Sequence, residues 1–129
     1  MTKRERFLNV LANKPVDRVP VAFFHHFLED WHDFGLGVEN DAVFEKNIEG
    51  HRTACKIFNP DVAKIMNDSL MLMPVEASFV KTASDLRKIE PLSMNSKFAQ
   101  RTLELTKRVC EIYAETGAPV YATSFSPTL

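Results

Sequence analysis

The chain has 129 residues, 45% of them hydrophobic and 26% charged, with 16 Lys and Arg against 17 Asp and Glu. That length supports a hydrophobic core, and the near-neutral balance gives no reason to expect a nucleic-acid partner, since phosphate binding needs a concentrated basic face. No apolar leader opens the chain and no uncharged run approaches the ~18 residues of a membrane span, so the cytoplasm is the expected compartment.

"TKRERFLNVLANK" reads as a first helix. Thr2 with Glu5 three residues on forms a capping box, in which each side chain satisfies a free amide at the helix start. Lys3, Arg4 and Arg6, interrupted by Glu5, read as a solvated face. Pro15 ends the segment, because the residue before a proline is driven out of the helical region. "RVPVAFF" follows as a strand. Val19, Val21, Phe23 and His25 fall on one face, and Ala22, Phe24 and His26 on the other. Apolar residues on both faces predict a strand covered on both sides, as in a parallel sheet. Asp17 and Arg18, just before it, read as an ion pair or cap that fixes where the strand begins. "LEDWHDFGLGVEN" reads as a loop; its Gly35-x-Gly37 lacks the third glycine and the preceding strand of a phosphate loop.

"DAVFEKNIEGHRTACKIFNPD" is the clearest helix. Phe44, Ile48, His51, Cys55 and Phe58 form one stripe, Asn40 is the expected cap, and Gly50 weakens the middle in favour of close packing. "VAKIMND" then predicts a second strand ending in Asp68. A short helix beginning at Ser84 and Asp85 closes before Pro91. "NSKFAQRTLELTKRVCEIYAETG" is a second long helix with Phe98, Leu105, Val109 and Ile112 along one side and Gly117 at its left-handed end. "PVYATSF" predicts a third strand. Cys55 and Cys110 show no CxxC or HxxxH spacing and are read as reduced and buried. The chain stops soon after that third strand, so residues 1–129 read as one α/β domain that is incomplete or is completed by a partner.

The candidate chemistry sits at the carboxyl ends of the predicted strands, where parallel sheets hold ligands. Asp68 is the candidate catalytic group, orienting or electrostatically stabilising a ligand; capping a turn is its structural alternative. His25 and His26 end the first strand on opposite faces, and one of them is expected to meet a ligand. Ser124, with Thr123 and Ser126, lines the same rim. His32 lies in the loop that folds over it. His51, on the apolar stripe, reads as a hydrogen-bonded core histidine.

In sequence these blocks resemble the uroporphyrinogen decarboxylase superfamily. "TKRERFLNVLANKPVDRVPV" looks like its opening helix and lead into the first barrel strand. "FNPDVAKIMNDSLM" resembles its second strand with the aspartate, "TASDLRKIEP" a short helix after it, and "GAPVYATSFSPTL" its third strand. The resemblance implies the N-terminal part of a (β/α)8 TIM barrel, about three parallel strands with covering helices. It implies a divergent methyltransferase-like parent that moves a methyl group from a corrinoid to a thiol. The alternatives are a tetrapyrrole carboxylate decarboxylase, a lyase, and a non-catalytic α/β binding domain. His25 and Glu29 stand where the decarboxylase carries arginines, which argues against an anionic tetrapyrrole. Asp68 falls on the family's substrate-binding aspartate. The implied partners are a small-molecule, tetrapyrrole or corrinoid substrate and the remainder of the barrel or a partner chain, without nucleic acid or membrane. No cofactor or metal is assigned within the chain; zinc belongs to the part of the family fold that lies beyond Leu129.

Overall fold

The computed structural model describes residues 1–123. In order they form helix α1 (Lys3–Leu11), helix α2 (Asp41–Phe58), strand β1 (Ala63–Lys64), helix α3 (Lys97–Ala114) and strand β2 (Val120–Tyr121), joined by four short 3₁₀ turns. The capping box at Thr2 and Glu5 is present. Asn40 caps α2 by accepting from the amides of Ala42 and Val43, and Ser96 caps α3 through Ala99. Asn59 and Gly117, both at positive φ, turn the chain out of α2 and away from the end of α3. None of the described helices is long and apolar enough to cross a membrane.

The core lies where α2 and α3 pack on each other and on one face of β1. Phe44, Ile48, Leu105 and Val109 are essentially sealed from solvent, with Ala63, Ile65, Leu70 and Tyr113 beside them. Burial of each large side chain there stabilises the fold by about 1.5–3 kcal/mol. Outside the core the two helices are joined by Arg101–Asp41 and Arg108–Glu45 ion pairs, and the Arg101 guanidinium lies 4.5 Å over the Phe44 ring. Exposed pairs of this kind add little stability. The two cysteines are free; Cys55 is half-buried, but Cys110 is exposed, not interior as expected.

The barrel expectation is corrected by the sheet. Among the described residues it holds two strands of two residues each, β1 and β2, paired parallel with Ala63 opposite Val120 and Lys64 opposite Tyr121. It is open and uncurled within a mainly helical fold, and is not the start of a (β/α)8 barrel. The run "RVPVAFF" contributes a single parallel bridge, Ala22 to Val62. Its apolar residues are not covered on both sides: Val19 is 78% and Phe24 65% exposed. The physical reason lies in the hydrogen bonding. Pro20 offers no amide, Val21 spends its own amide on the Asp61 carboxylate, and beyond Ala22 the chain turns toward Asp68. The predicted second strand is likewise cut short, because side chains of α2 take the backbone groups of Met66.

Arg6 is the feature of α1 that charge patterning misread. It is buried, not solvated. Its guanidinium donates to Asp17 at 2.7 and 2.8 Å and to Asp61 at 2.7 Å. Arg18 closes the same knot, with Nη2 2.8 Å from Asp61. Asp17 and Arg18 thus do fix the chain ahead of Val21: each side chain pairs with a distant ionic partner, and Asp17 Oδ1 also caps the Arg18 amide at 3.0 Å. Asp61 is held below the usual carboxylate range first by Arg18, then by the Val21 amide and by the charge of Arg6; Asp17 is held low first by Arg6.

A folded-state carboxyl pKa below the unfolded value stabilises the fold above the unfolded value, about 4, and that stability is lost as pH falls through the folded one. Urea unfolding of the wild type should therefore lose stability below about pH 4. Asp61→Asn should cost about 1–3 kcal/mol at pH 7, because it weakens the buried bonds to Arg6 Nη1, Arg18 and the Val21 amide while Arg6 keeps Asp17, and should flatten that acid limb. An unchanged acid limb in the variant would remove Asp61 from the account.

Candidate active site

The site begins on α2. Asn47 and His51 are one turn apart on its buried face, and both are fully enclosed. The Asn47 amide donates to the Met66 carbonyl at 2.8 Å and accepts from the Ser69 amide at 3.0 Å. The Met66 amide donates to His51 Nε2 at 3.2 Å. These bonds bend the chain after β1 into the turn Asp68–Leu70. A second turn, Leu36–Val38, lies directly on it. Gly37 permits that approach, since a Cβ there would come within 2.6 Å of Ser69 Cβ and 2.8 Å of its carbonyl oxygen. The Gly35 amide donates to the Asp68 carbonyl at 2.8 Å.

Asp68 is thereby fully buried and aimed at the end of the "VAFFHHF" run. Its Oδ2 accepts the Phe27 amide at 2.7 Å and its Oδ1 lies 2.8 Å from His26 Nδ1. An ionised carboxylate only accepts, so Nδ1 carries the proton and donates. The side chain of His26 is 48% exposed. Among the described residues nothing hydrogen-bonds its Nε2, and the Phe34 ring meets it edge-on at 5.1 Å. Phe27 is wedged between this pair and α2, its ring 4.6 Å from that of His51. A side chain at Gly50 would overlap Phe27 Cβ and Cγ.

The sequence-predicted residues separate accordingly. His26, not His25, meets Asp68. His25 lies edge-on to Phe27 at 4.7 Å and to Phe58 at 5.7 Å. Alternation along a strand, which this segment does not form, did not tell which of the two would meet the aspartate. His25, His26 and Phe27 share an open groove of about 470 Å³ with Glu29, Lys46 and Glu49. His32 pairs with Asp30 at 2.8 Å on the surface, stacked against Trp31. Ser124 and Ser126 lie outside the described residues, and Thr123 is exposed. His51 is the core histidine expected. Burial lowers its pKa from 6.5 to about 4, partly opposed by the Met66 carbonyl 3.2 Å from Nε2 and by the Asp68 charge.

Sequence reasoning missed Asn47 and Lys64. Asn47 shares the buried face of α2 with His51, four positions along, a spacing that could have flagged it. Lys64 interrupts the apolar run "VAKIM" and is only 7% exposed. Its Nζ lies 3.5 Å from the centroid of the Phe24 ring and 3.5 Å from Met66 Sδ.

No family of known proteins, no curated protein and no solved structure matches the chain. With the mainly helical fold and its two-stranded open sheet, this overturns the resemblance to the uroporphyrinogen decarboxylase superfamily and the methyltransferase and decarboxylase (lyase) activities it implied. The tetrapyrrole and corrinoid partners fall with it. No three His, Cys, Asp or Glu side chains converge on a metal position among the described residues.

Two outcomes follow for the residues that shape the site. His51 is neutral in the fold, so protonation opposes folding. Its contribution is complete above its unfolded value of 6.5 and is lost as pH falls toward about 4, where the total reaches about 3 kcal/mol. The urea midpoint should decline across that window and should not in His51→Gln. Gly50→Ala should destabilise by about 2 kcal/mol through overpacking against Phe27, despite alanine's better helix propensity. A variant as stable as wild type would mean that Phe27 yields freely.

Proposed function

We propose that the chain carries an acid–base catalytic site in which His26 transfers protons and Asp68 orients it. The observation that carries this reading is the Asp68 carboxylate, fully buried, with one oxygen 2.8 Å from His26 Nδ1 and the other 2.7 Å from the Phe27 amide. A carboxylate on Nδ1 fixes the imidazole tautomer and ring orientation and stabilises the imidazolium once Nε2 has taken a proton. The backbone amide holds the carboxylate itself, so the imidazole is steered by a group that cannot swing away. Nε2 is the free nitrogen of a half-exposed ring beside an open groove, which is where a reacting proton has to arrive. The groove carries both signs of charge, from Glu29, Glu49 and Lys46. That suits a polar substrate better than an apolar one.

The rival reading is a structural tether, in which Asp68 only pins residues 26 and 27 to the turn. The two differ in what His26 contributes once the fold is intact. With p-nitrophenyl acetate as the probe, His26→Gln should lower the hydrolysis rate by about 10²-fold, the usual scale of a positioned acid–base group. His25→Gln should leave it within twofold. Asp68→Asn should lower it too and should remove the Nδ1–H imidazole signal from the ¹⁵N NMR spectrum, with circular dichroism reporting whether the fold survives. Wild-type hydrolysis in a folded His26→Gln protein would leave the tether as the role of this pair.

A further inference from the structure

Lys64 is the buried group that the acid–base reading leaves unused. It lies on β1 and is 7% exposed, and no carboxylate lies within ion-pair distance of it among the described residues. Its Nζ lies over the face of the Phe24 ring and beside the Met66 thioether, both at 3.5 Å. An ammonium enclosed without a counter-ion is costly, and the cost is relieved when the amine gives up its proton. Burial accordingly lowers the pKa of Lys64, with the Asp68 charge pulling the other way. A desolvated lysine amine is a nucleophile toward carbonyl carbon.

The cover over this amine is the most telling feature. Phe24 is 65% exposed, so its ring is held on one side by Lys64 and is open to solvent on the other. The same ring meets the His26 imidazole edge-on at 6.2 Å. Lys64 and His26 therefore flank a single aromatic side chain, and a molecule that takes the ring's place lies between an amine and a proton carrier. From this juxtaposition we infer that Lys64 condenses with an aldehyde or ketone to form an imine, with His26 moving the protons; this deepens the acid–base reading and rests on it for the role of His26. The neutral Nζ attacks the carbonyl carbon, forming the C–N bond, and one of its two protons passes through His26 Nε2 to the carbonyl oxygen, giving a carbinolamine. The second nitrogen proton follows the same route to the hydroxyl as the C–O bond breaks. Water leaves and the C=N bond closes; amine plus carbonyl gives imine plus water, with no oxidant or reductant.

Acetaldehyde with cyanoborohydride, quenched early and mapped by peptide mass spectrometry, tests this on the whole chain. Lys64 should be alkylated on the order of tenfold faster than the surface lysines. That lead should vanish when the protein is unfolded in urea and in Lys64→Arg. His26→Gln should slow the Lys64 adduct severalfold. Labelling of Lys64 in the folded protein no faster than that of surface lysines overturns the inference, and does so alone if the His26 tautomer signal and esterase rate are intact. A fast Lys64 adduct whose rate ignores His26→Gln upholds the amine and overturns the acid–base role of His26.

Discussion

Two buried aspartates do for residues 21–27 what a strand ladder would otherwise do. Asp61 accepts the Val21 amide at 2.9 Å and Asp68 accepts the Phe27 amide at 2.7 Å. The two segments, 21–27 and 61–68, run side by side, and each end is closed by a carboxylate in place of a run of backbone pairs. Among the described residues the backbone pairing of the two segments is confined to the Val21 carbonyl, which accepts the Asp61 amide at 2.8 Å, and the bridge from Ala22 to Val62. A carboxylate in the interior is tolerated only when its lone pairs are filled. Both meet that condition, Asp61 with Arg6 and Arg18, Asp68 with His26. At the first end the filling groups are guanidiniums and the result is a structural knot. At the second it is an imidazole, and the same need for satisfaction yields a group able to carry a proton.

The position of the second carboxylate is inherited from α2. The Asn47 side chain offers one donor and one acceptor with the spacing of a peptide group, and it takes the Met66 carbonyl and the Ser69 amide together. A lost bond at either atom would strand a buried backbone group at a cost of about 1–3 kcal/mol. The turn at Asp68 is therefore part of the α2 core, not a mobile loop, and its aspartate has a fixed direction. Gly50 on the same helix lets Phe27 in, which brings the Phe27 amide and the His26 ring up to that aspartate. Helix, turn and histidine run are thus aligned by three positions on one helix face: 47, 50 and 51.

Legibility in the sequence followed locality. The two long helices, their caps and the terminal Gly117 depend on residues a few positions apart, and period and capping chemistry recover them. His51 was readable as core because a polar residue on an apolar stripe needs only a nearby backbone partner, and Met66 supplies it. The strands were overread, since an apolar run is compatible with a ladder but does not specify one. In "RVPVAFF" the ladder lost to side-chain acceptors forty residues away, which no local pattern encodes. The ion-pair knot failed for the same reason: Arg6 looks like one charge among several on a helix face until Asp61 is brought to it. Asp68 was legible as a costly charge at the end of an apolar segment, and the pair of histidines as candidates, but the choice of His26 over His25 depends on the turn after Ala22.

The molecule contains its own comparison for the value of burying the carboxylate. Asp30 and His32 make the same contact as Asp68 and His26, Nδ1 to Oδ1 at 2.8 Å in both. In the first pair the side chains are 61% and 67% exposed; in the second the aspartate is sealed and only the histidine, at 48%, reaches solvent. Water competes for every bond of the exposed pair, its charges are screened, and either side chain turns away at little cost. The sealed carboxylate has no such alternative partners, and its second oxygen is already committed to a backbone amide. Distance alone would rank the two pairs equally. What separates them is that one aspartate can exchange its histidine for solvent and the other cannot, and that asymmetry places the oriented imidazole at residue 26 instead of residue 32.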